Sequence, residues 1–139
     1  PVLVLLTSLA LGGIYLAIVS LAGLDLPDSL PEQLILEGPG LIATVVLVVI
    51  IGPFAEEVFF RGFVFAGLVG RLGVVRAGVA SALLFTLAHV SGEWDQNLVL
   101  PPIFATGILF TWLYRKSGSI WSCYAAHVLQ NALALSVSL

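Results

Sequence analysis

Long apolar runs are the feature of this sequence that most restricts its fold. The 139-residue chain contains five of them, at residues 2–24, 40–69, 74–91, 98–114 and 119–138. A helix of about 20 apolar residues is long enough to cross the hydrocarbon of a bilayer. Only 9% of the residues are charged and 60% are hydrophobic, whereas a soluble domain carries roughly 25% charged residues. We therefore predict an all-α fold, a polytopic membrane bundle of about five transmembrane helices.

Glycine and proline mark the expected breaks in this pattern. Gly52-Pro53 lies inside the second run and predicts a kink or a fresh helix start. The first run lacks the basic amino end of a secretory signal, so we interpret it as a membrane span. Because the chain begins at Pro1 rather than methionine, we expect that it has been trimmed from a longer one.

The connections between the runs alternate in the sign of their charge. The acidic ones carry Asp25, Asp28, Glu32, Glu37, Glu93 and Asp95, and the basic ones carry Arg71, Arg76, Arg115 and Lys116. The positive-inside rule therefore predicts cytoplasmic basic connections and a cytoplasmic amino end. A net charge of −3 with five basic residues disfavours nucleic acid as a partner. The single cysteine excludes an internal disulfide and a cysteine-based zinc site.

Several polar and ionisable residues lie inside the apolar runs, where they are costly and by default mark a functional site. They are Glu56, Glu57 and Arg61 in the second run, His89 in the third, and His127 and Asn131 in the fifth. Counted at about 1.5 Å per residue from the basic ends, they lie at depths of roughly 12–20 Å. We therefore predict that they form one buried site.

Helical spacing predicts different roles for these residues. Glu57 and Arg61 are four residues apart with the acid first, which favours an ion pair. Glu56 points about 100° away around the helix, so its carboxylate is left available for chemistry. Phe85 precedes His89 by one turn and can pack on its ring.

Three motifs in this set resemble those of the CPBP intramembrane protease family. They are Glu56-Glu57-x-x-x-Arg61, Phe85-x-x-x-His89 and His127-x-x-x-Asn131, in the family's order. Phe59-Phe60-Arg61-Gly62 after the paired glutamates is also typical. That family contains the type II CAAX prenyl proteases and proteins linked to bacteriocin processing and immunity.

The resemblance covers one part of the chain and implies a cellular location. Residues 40–139 correspond to the family's four-helix catalytic core. Residues 1–39 lie outside the resemblance, and their apolar run and acidic connection predict an amino-terminal transmembrane helix with an external linker. The implied location is a prokaryotic plasma membrane, with the chain as an integral multi-pass protein in the lipid bilayer.

The residue types suit peptide hydrolysis, which requires an activated water, a stabilised oxyanion and a proton for the leaving amine. Glu56 is the candidate general base, and His89 can hold or polarise the water. His127 and Asn131 share one helix face and offer N–H donors to an oxyanion. Glu57 with Arg61 would support Glu56, and the resemblance implies the same roles. We predict an intramembrane endopeptidase whose substrate is a membrane-associated protein or peptide, such as a prenylated CAAX protein.

Other interpretations stay open. Glu56, His89 and His127 also form a set of zinc ligands, although no H-E-x-x-H signature is present, and we favour glutamate chemistry without a metal.

Cys123 lies four residues before His127, so a Cys–His dyad is conceivable, against the alternative of an apolar core cysteine. A non-enzymatic immunity or partner-binding protein of the same fold would keep the motifs for packing. A proton-coupled carrier is disfavoured because the sequence shows no inverted repeat.

Overall fold

The computed structural model describes residues 1–24, 39–92 and 95–138, and within them every regular element is a helix. Five acidic residues of the predicted connections, Asp25, Asp28, Glu32, Glu37 and Glu93, lie outside the described residues. The α-helices are α1 (Val2–Leu21), α2 (Pro39–Val45), α3 (Gly52–Glu57), α4 (Ala66–Leu87), α5 (Leu100–Ser117) and α6 (Ile120–Ser138). Two π-helical segments, Val46–Ile51 and Val58–Phe65, join α2 to α3 and α3 to α4, and a 3₁₀ helix covers Asp95–Val99.

The described helices include three that are long and apolar enough to cross a membrane: Val2–Leu21, Gly40–Leu87 and Asn97–Ser117. The predicted all-α membrane bundle is therefore confirmed. The second of these is 48 residues long, more than twice the roughly 20 residues that one membrane span requires, and it is not one straight helix because Gly73 has non-helical backbone angles. The predicted number of five spans stays a prediction.

At Gly52-Pro53 a π-helical segment ends and α3 begins, with Pro53 in its first turn, so the predicted fresh helix start is present. Gly52 keeps helical angles of φ −56° and ψ −57°, and its N–H donates to the carbonyl of Leu47, five residues earlier. A Cβ at Gly52 would lie only 2.9 Å from that carbonyl oxygen, so a larger residue would push the two turns apart. The chain accommodates the proline by inserting one residue into the turn before it, which is a π-bulge.

The long helix does reverse direction at Gly73, in the connection predicted between the second and third runs. Gly73 has φ 73° and ψ 169°, a conformation that glycine adopts at little cost. The arm after it packs back on the arm before it, since Ser81 Oγ donates to the Phe60 carbonyl at 2.7 Å and the rings of Phe60 and Phe85 lie 5.2 Å apart. The end predicted for this run, residue 91, was wrong, because α4 ends at Leu87.

Both basic connections lie at the same end of the bundle. Phe65, before the Gly73 corner, contacts Tyr114 near the end of α5 at a ring distance of 6.0 Å. A Cβ on Gly62 would lie 3.0 Å from Ile120 Cδ1 at the start of α6. The two basic connections, which the charge pattern assigned to one side of the membrane, are therefore neighbours in the structure.

Helix α1 packs on α5 and α6 rather than standing apart from them. Val4 is 3% exposed and belongs to a buried cluster with Phe110, Leu113, Cys123 and Ala126. The division into residues 1–39 and 40–139 stays a prediction.

Candidate active site

The site contains an ion pair that is buried between the helices. Glu57 and Arg61 are both 0% exposed, and Arg61 Nη1 donates to Glu57 Oε1 at 2.9 Å. Arg61 Nη2 donates to the Gly107 carbonyl of α5 at 3.2 Å. The guanidinium also faces the rings of Phe85, at 4.7 Å, and Phe110, at 5.3 Å, so aromatic faces replace water around the cation. The ion pair expected from the four-residue spacing is present.

His127 joins the two adjacent glutamates. Its Nδ1 lies 2.8 Å from Glu57 Oε1, and its Nε2 lies 3.6 Å from Glu56 Oε2. An ionised carboxylate only accepts hydrogen bonds, so the Nδ1 atom carries a hydrogen and Nε2 is the atom that faces Glu56. Glu57 therefore contacts His127 directly, a contact that helical spacing within one segment could not reveal.

The two glutamates lie in different environments. The Glu57 side chain is fully enclosed, whereas the Glu56 side chain is 32% exposed. Three buried atoms, Glu56 Oε2, Glu57 Oε2 and Arg61 Nε, make no hydrogen bond with the described residues. Buried polar atoms in proteins are normally hydrogen-bonded. The site thus has hydrogen-bonding capacity that its own described side chains do not use.

His89 lies just past the end of α4 instead of within a span. Its backbone N–H donates to the Thr86 carbonyl at 2.9 Å, and its Nδ1 lies 2.8 Å from the Phe85 carbonyl. Because a carbonyl only accepts, Nδ1 carries the hydrogen, and the neutral ring has its lone pair on Nε2. Phe85 packs on the His89 ring at 4.7 Å, as predicted, and also contacts the His127 ring at 5.9 Å. Phe85 therefore links the two histidines.

Asn131 has a structural contact that follows from the π-bulge. Its Nδ2 donates to the Val48 carbonyl at 2.9 Å. In an α-helix this carbonyl would accept the N–H of Gly52, but that N–H is bonded to Leu47, and Pro53 has no N–H to offer. The Asn131 amide supplies the missing donor. Asn131 and His127 both face the long helix, as their spacing predicted, whereas the oxyanion role of Asn131 stays a prediction.

Two residues of the site were missed by the sequence interpretation. Phe110 lies 5.2 Å from the His127 ring and covers Arg61 as well. Gly107 accepts from Arg61, and a Cβ there would lie 3.1 Å from both Cα and Cβ of Ala82, so its small size permits the close approach of α4 and α5. Neither residue is polar or part of a motif, and their importance depends on helix packing.

Cys123 belongs to the core and not to a dyad with His127. It is 0% exposed, and its Sγ donates to the Phe110 carbonyl at 3.3 Å. The apolar-core interpretation of this cysteine therefore agrees with its contacts.

The possible zinc ligands, Glu56, His89 and His127, are not brought together as a metal site. Among the described residues, no group of three or more His, Cys, Asp and Glu side chains is arranged to hold a metal ion. The contacts of both histidines through Nδ1 leave Nε2 as the ring atom with a lone pair, so they do not themselves disfavour a metal. The three side chains as placed therefore do not form a zinc site, and zinc binding stays a prediction.

Comparisons with known proteins agree with the motifs. A family model described as "Type II CAAX prenyl endopeptidase Rce1-like" matches residues 38–133. A curated protein of Bacillus subtilis (strain 168) named "Putative membrane peptidase YdiL" is 30% identical over 90 residues, which are 65% of this chain and 35% of that protein. The chain thus spans about a third of the length of this relative. No solved structure gives a significant match.

Proposed function

The chain belongs to the Rce1-like family of type II CAAX prenyl endopeptidases, and from this premise we propose that it is an intramembrane endopeptidase. Its substrate is a membrane-associated protein or peptide, for which a carboxy-terminal prenylated CAAX sequence is the leading candidate. Glu56 activates the hydrolytic water. The family match and the likeness to a membrane peptidase support peptide hydrolysis as the reaction class.

The observation that carries this proposal is the pairing of two unlike glutamates through His127. Glu57 is enclosed and bonded to both Arg61 and His127, so its role is to hold charge and orientation. Glu56 is partly exposed and makes no hydrogen bond through its Oε2, so it is free to accept a proton. A general base requires this availability.

In the proposed hydrolysis, Glu56 transfers one proton from the water to the leaving amine. Glu56 accepts the proton as the water oxygen adds to the peptide carbonyl carbon. The lone pair of His89 Nε2 can accept the second hydrogen of the water and so orient it. When the tetrahedral intermediate collapses, the C–N bond breaks and Glu56 returns the proton to the amine nitrogen. The acid–base cycle is thereby complete, with Glu56 unchanged.

The hydrogen on His127 Nδ1 limits how His127 can stabilise the oxyanion. With Nδ1 bonded to Glu57, a neutral ring has only a lone pair at Nε2. Donation to an oxyanion through Nε2 therefore requires the doubly protonated ring. The second N–H of the Asn131 amide is the other candidate donor.

The test is peptide cleavage by the purified full chain in liposomes, with matched peptides that carry or lack a prenylated carboxy-terminal cysteine. Glu56→Gln keeps the size of the side chain but cannot act as a base, so the rate should fall at least about 10²-fold. Lys116→Gln, the same charge-to-amide change at an exposed position on α5, is the matched control and should cleave like wild type.

Cleavage in the presence of a chelator tests the metal-dependent alternative. We expect cleavage to survive chelation, and metal analysis of active protein to find no stoichiometric zinc. Undiminished cleavage by Glu56→Gln would refute the general base. A correctly folded wild type that cleaves no peptide would favour the immunity or partner-binding alternative.

A further inference from the structure

A ring of three hydrogen bonds connects α1 to the helices that bear the site. Ser8 Oγ of α1 donates to Gln130 Oε1 of α6 at 3.0 Å. Thr106 Oγ1 of α5 lies 2.6 Å from Ser8 Oγ, and Gln130 Nε2 donates to Thr106 Oγ1 at 3.4 Å. Ser8 and Thr106 are each 5% exposed, and Gln130 is half-buried, so the ring is largely shielded between the helices.

With the Gln130 amide oriented as in the structure, each bond in this ring has one direction. The single hydroxyl hydrogen of Ser8 goes to Gln130, so in the short contact Thr106 must donate to Ser8. Each of the three side chains therefore donates once and accepts once around a closed circuit. Hydrogen bonds in such a circuit polarise and strengthen one another, most of all away from water. The closed circuit also restricts the relative positions of the three helices, because moving one helix lengthens two of the hydrogen bonds at once.

The ring lies next to the residues of the proposed site. Gln130 is three residues after His127 and directly before Asn131. Thr106 directly precedes Gly107, whose carbonyl accepts from Arg61. A rotation of α6 that moved Gln130 would also turn His127 away from Glu57, since one helix carries both side chains.

Helix α1 lies outside the part of the chain that the family model matches, residues 38–133. Even so, its Ser8 supplies one of the three members of the ring, and its Val4 packs in the cluster that contains Phe110. We propose that Ser8 is a positioning residue: through Thr106 and Gln130, it fixes the rotation of α6 that brings His127 onto Glu57. Its effect on cleavage rests on the proposed function, whereas its effect on the position of His127 does not.

The primary measurement is therefore one that needs no activity, the ring-nitrogen resonances of His127 in the full chain in detergent micelles. The chain has two histidines, so His89→Gln assigns the spectrum. Ser8→Ala opens the ring and should shift the His127 Nδ1 resonance, because the bond to Glu57 Oε1 changes in length. Ser20→Ala, the same change at an exposed serine of the same helix, is the matched control and should leave the resonance in place.

A second variant separates positioning from general stability. Ser8→Ala combined with Thr106→Val and Gln130→Leu removes all three polar side chains, so no buried polar atom of the ring is left unpaired. This variant should melt near the wild-type temperature but still show the shifted His127 resonance. With a cleavable peptide, both ring variants should lose roughly tenfold in kcat with little change in KM, because orientation and not binding is affected.

Unchanged His127 resonances in the triple variant would overturn the proposal, and so would wild-type kcat per folded molecule in Ser8→Ala. A lower melting temperature alone, with His127 in place, would reduce Ser8 to a structural residue. If wild type cleaves no peptide, the proposed function fails, and the resonances still decide the role of Ser8.

Discussion

Glu57 Oε1 accepts from two cationic or potentially cationic side chains at once. Arg61 Nη1 lies 2.9 Å from it and His127 Nδ1 lies 2.8 Å from it. All three residues are buried, so the carboxylate neutralises Arg61 and also orients His127. A substitution of Glu57 should therefore lower stability through the loss of the partner of Arg61, and lower catalysis through the loss of the contact that orients His127.

Two variants separate the effect on stability from the effect on catalysis. Glu57→Gln should destabilise the fold by about 3–5 kcal/mol, because Arg61 is left as an unpaired buried cation. Glu57→Gln with Arg61→Met removes both charges and should recover much of that stability. Cleavage should recover less, because His127 Nδ1 no longer has the Glu57 carboxylate as its partner. Melting curves measured beside cleavage rates check this. If Glu57→Gln is inactive but melts like wild type, Glu57 itself takes part in the chemistry.

At the scale of the helices, the π-bulge before Gly52-Pro53 and the Asn131 amide form one unit. The bulge leaves the Val48 carbonyl without a backbone donor, and Asn131 Nδ2 donates to it at 2.9 Å. The pair joins α6 to the long helix near the level of the glutamates.

This unit predicts a coupling between Asn131 and Pro53. Asn131→Leu should cost about 1–3 kcal/mol, since it leaves the partly buried Val48 carbonyl unpaired. In a Pro53→Ala background the new N–H can donate to the helix carbonyls, so the same change should cost less. Unfolding free energies of the two single variants and the double variant measure the coupling. Pro101→Ala, at an exposed proline in the first turn of α5, is the control background and should leave the cost unchanged. Equal costs in all backgrounds would contradict the compensating role of Asn131.

Local patterns predicted some elements and contacts well, and their limits have physical causes. The Glu57–Arg61 pair and the packing of Phe85 on His89 depend on neighbouring turns of one helix, which spacing describes. The contact of His127 with Glu57 joins residues 70 apart in sequence, so it depends on how two helices pack. The π-bulge inserts a residue without changing the apolar pattern, so Gly52-Pro53 predicted the fresh start of α3 but not the π-helical turn before it.

At the scale of the whole molecule, the same-end placement of both basic connections gives the predicted orientation a structural basis. Ser117, beside Arg115 and Lys116, is exposed at the end of α5, and Gly92 is exposed at the opposite end of the bundle. Ser117→Cys should react with a membrane-impermeant reagent only after cells are permeabilised, because basic connections face the cytoplasm. Gly92→Cys should react in intact cells. Wild type is the background control, since its Cys123 is fully buried. The reverse pattern would mean that the bundle is inverted.

The corner at Gly73 also has a consequence for the surrounding lipid. The arm between Gly73 and the end of α4 at Leu87 contains about 14 residues, so it is roughly 21 Å long, against a hydrocarbon thickness of about 30 Å. Such hydrophobic mismatch is relieved by local thinning of the leaflet. Thinning would occur where this arm ends, beside His89. Lipid headgroups and their hydration water would thus come closer to the site than its depth in the chain suggests, and the bilayer itself would shorten the path of water to Glu56.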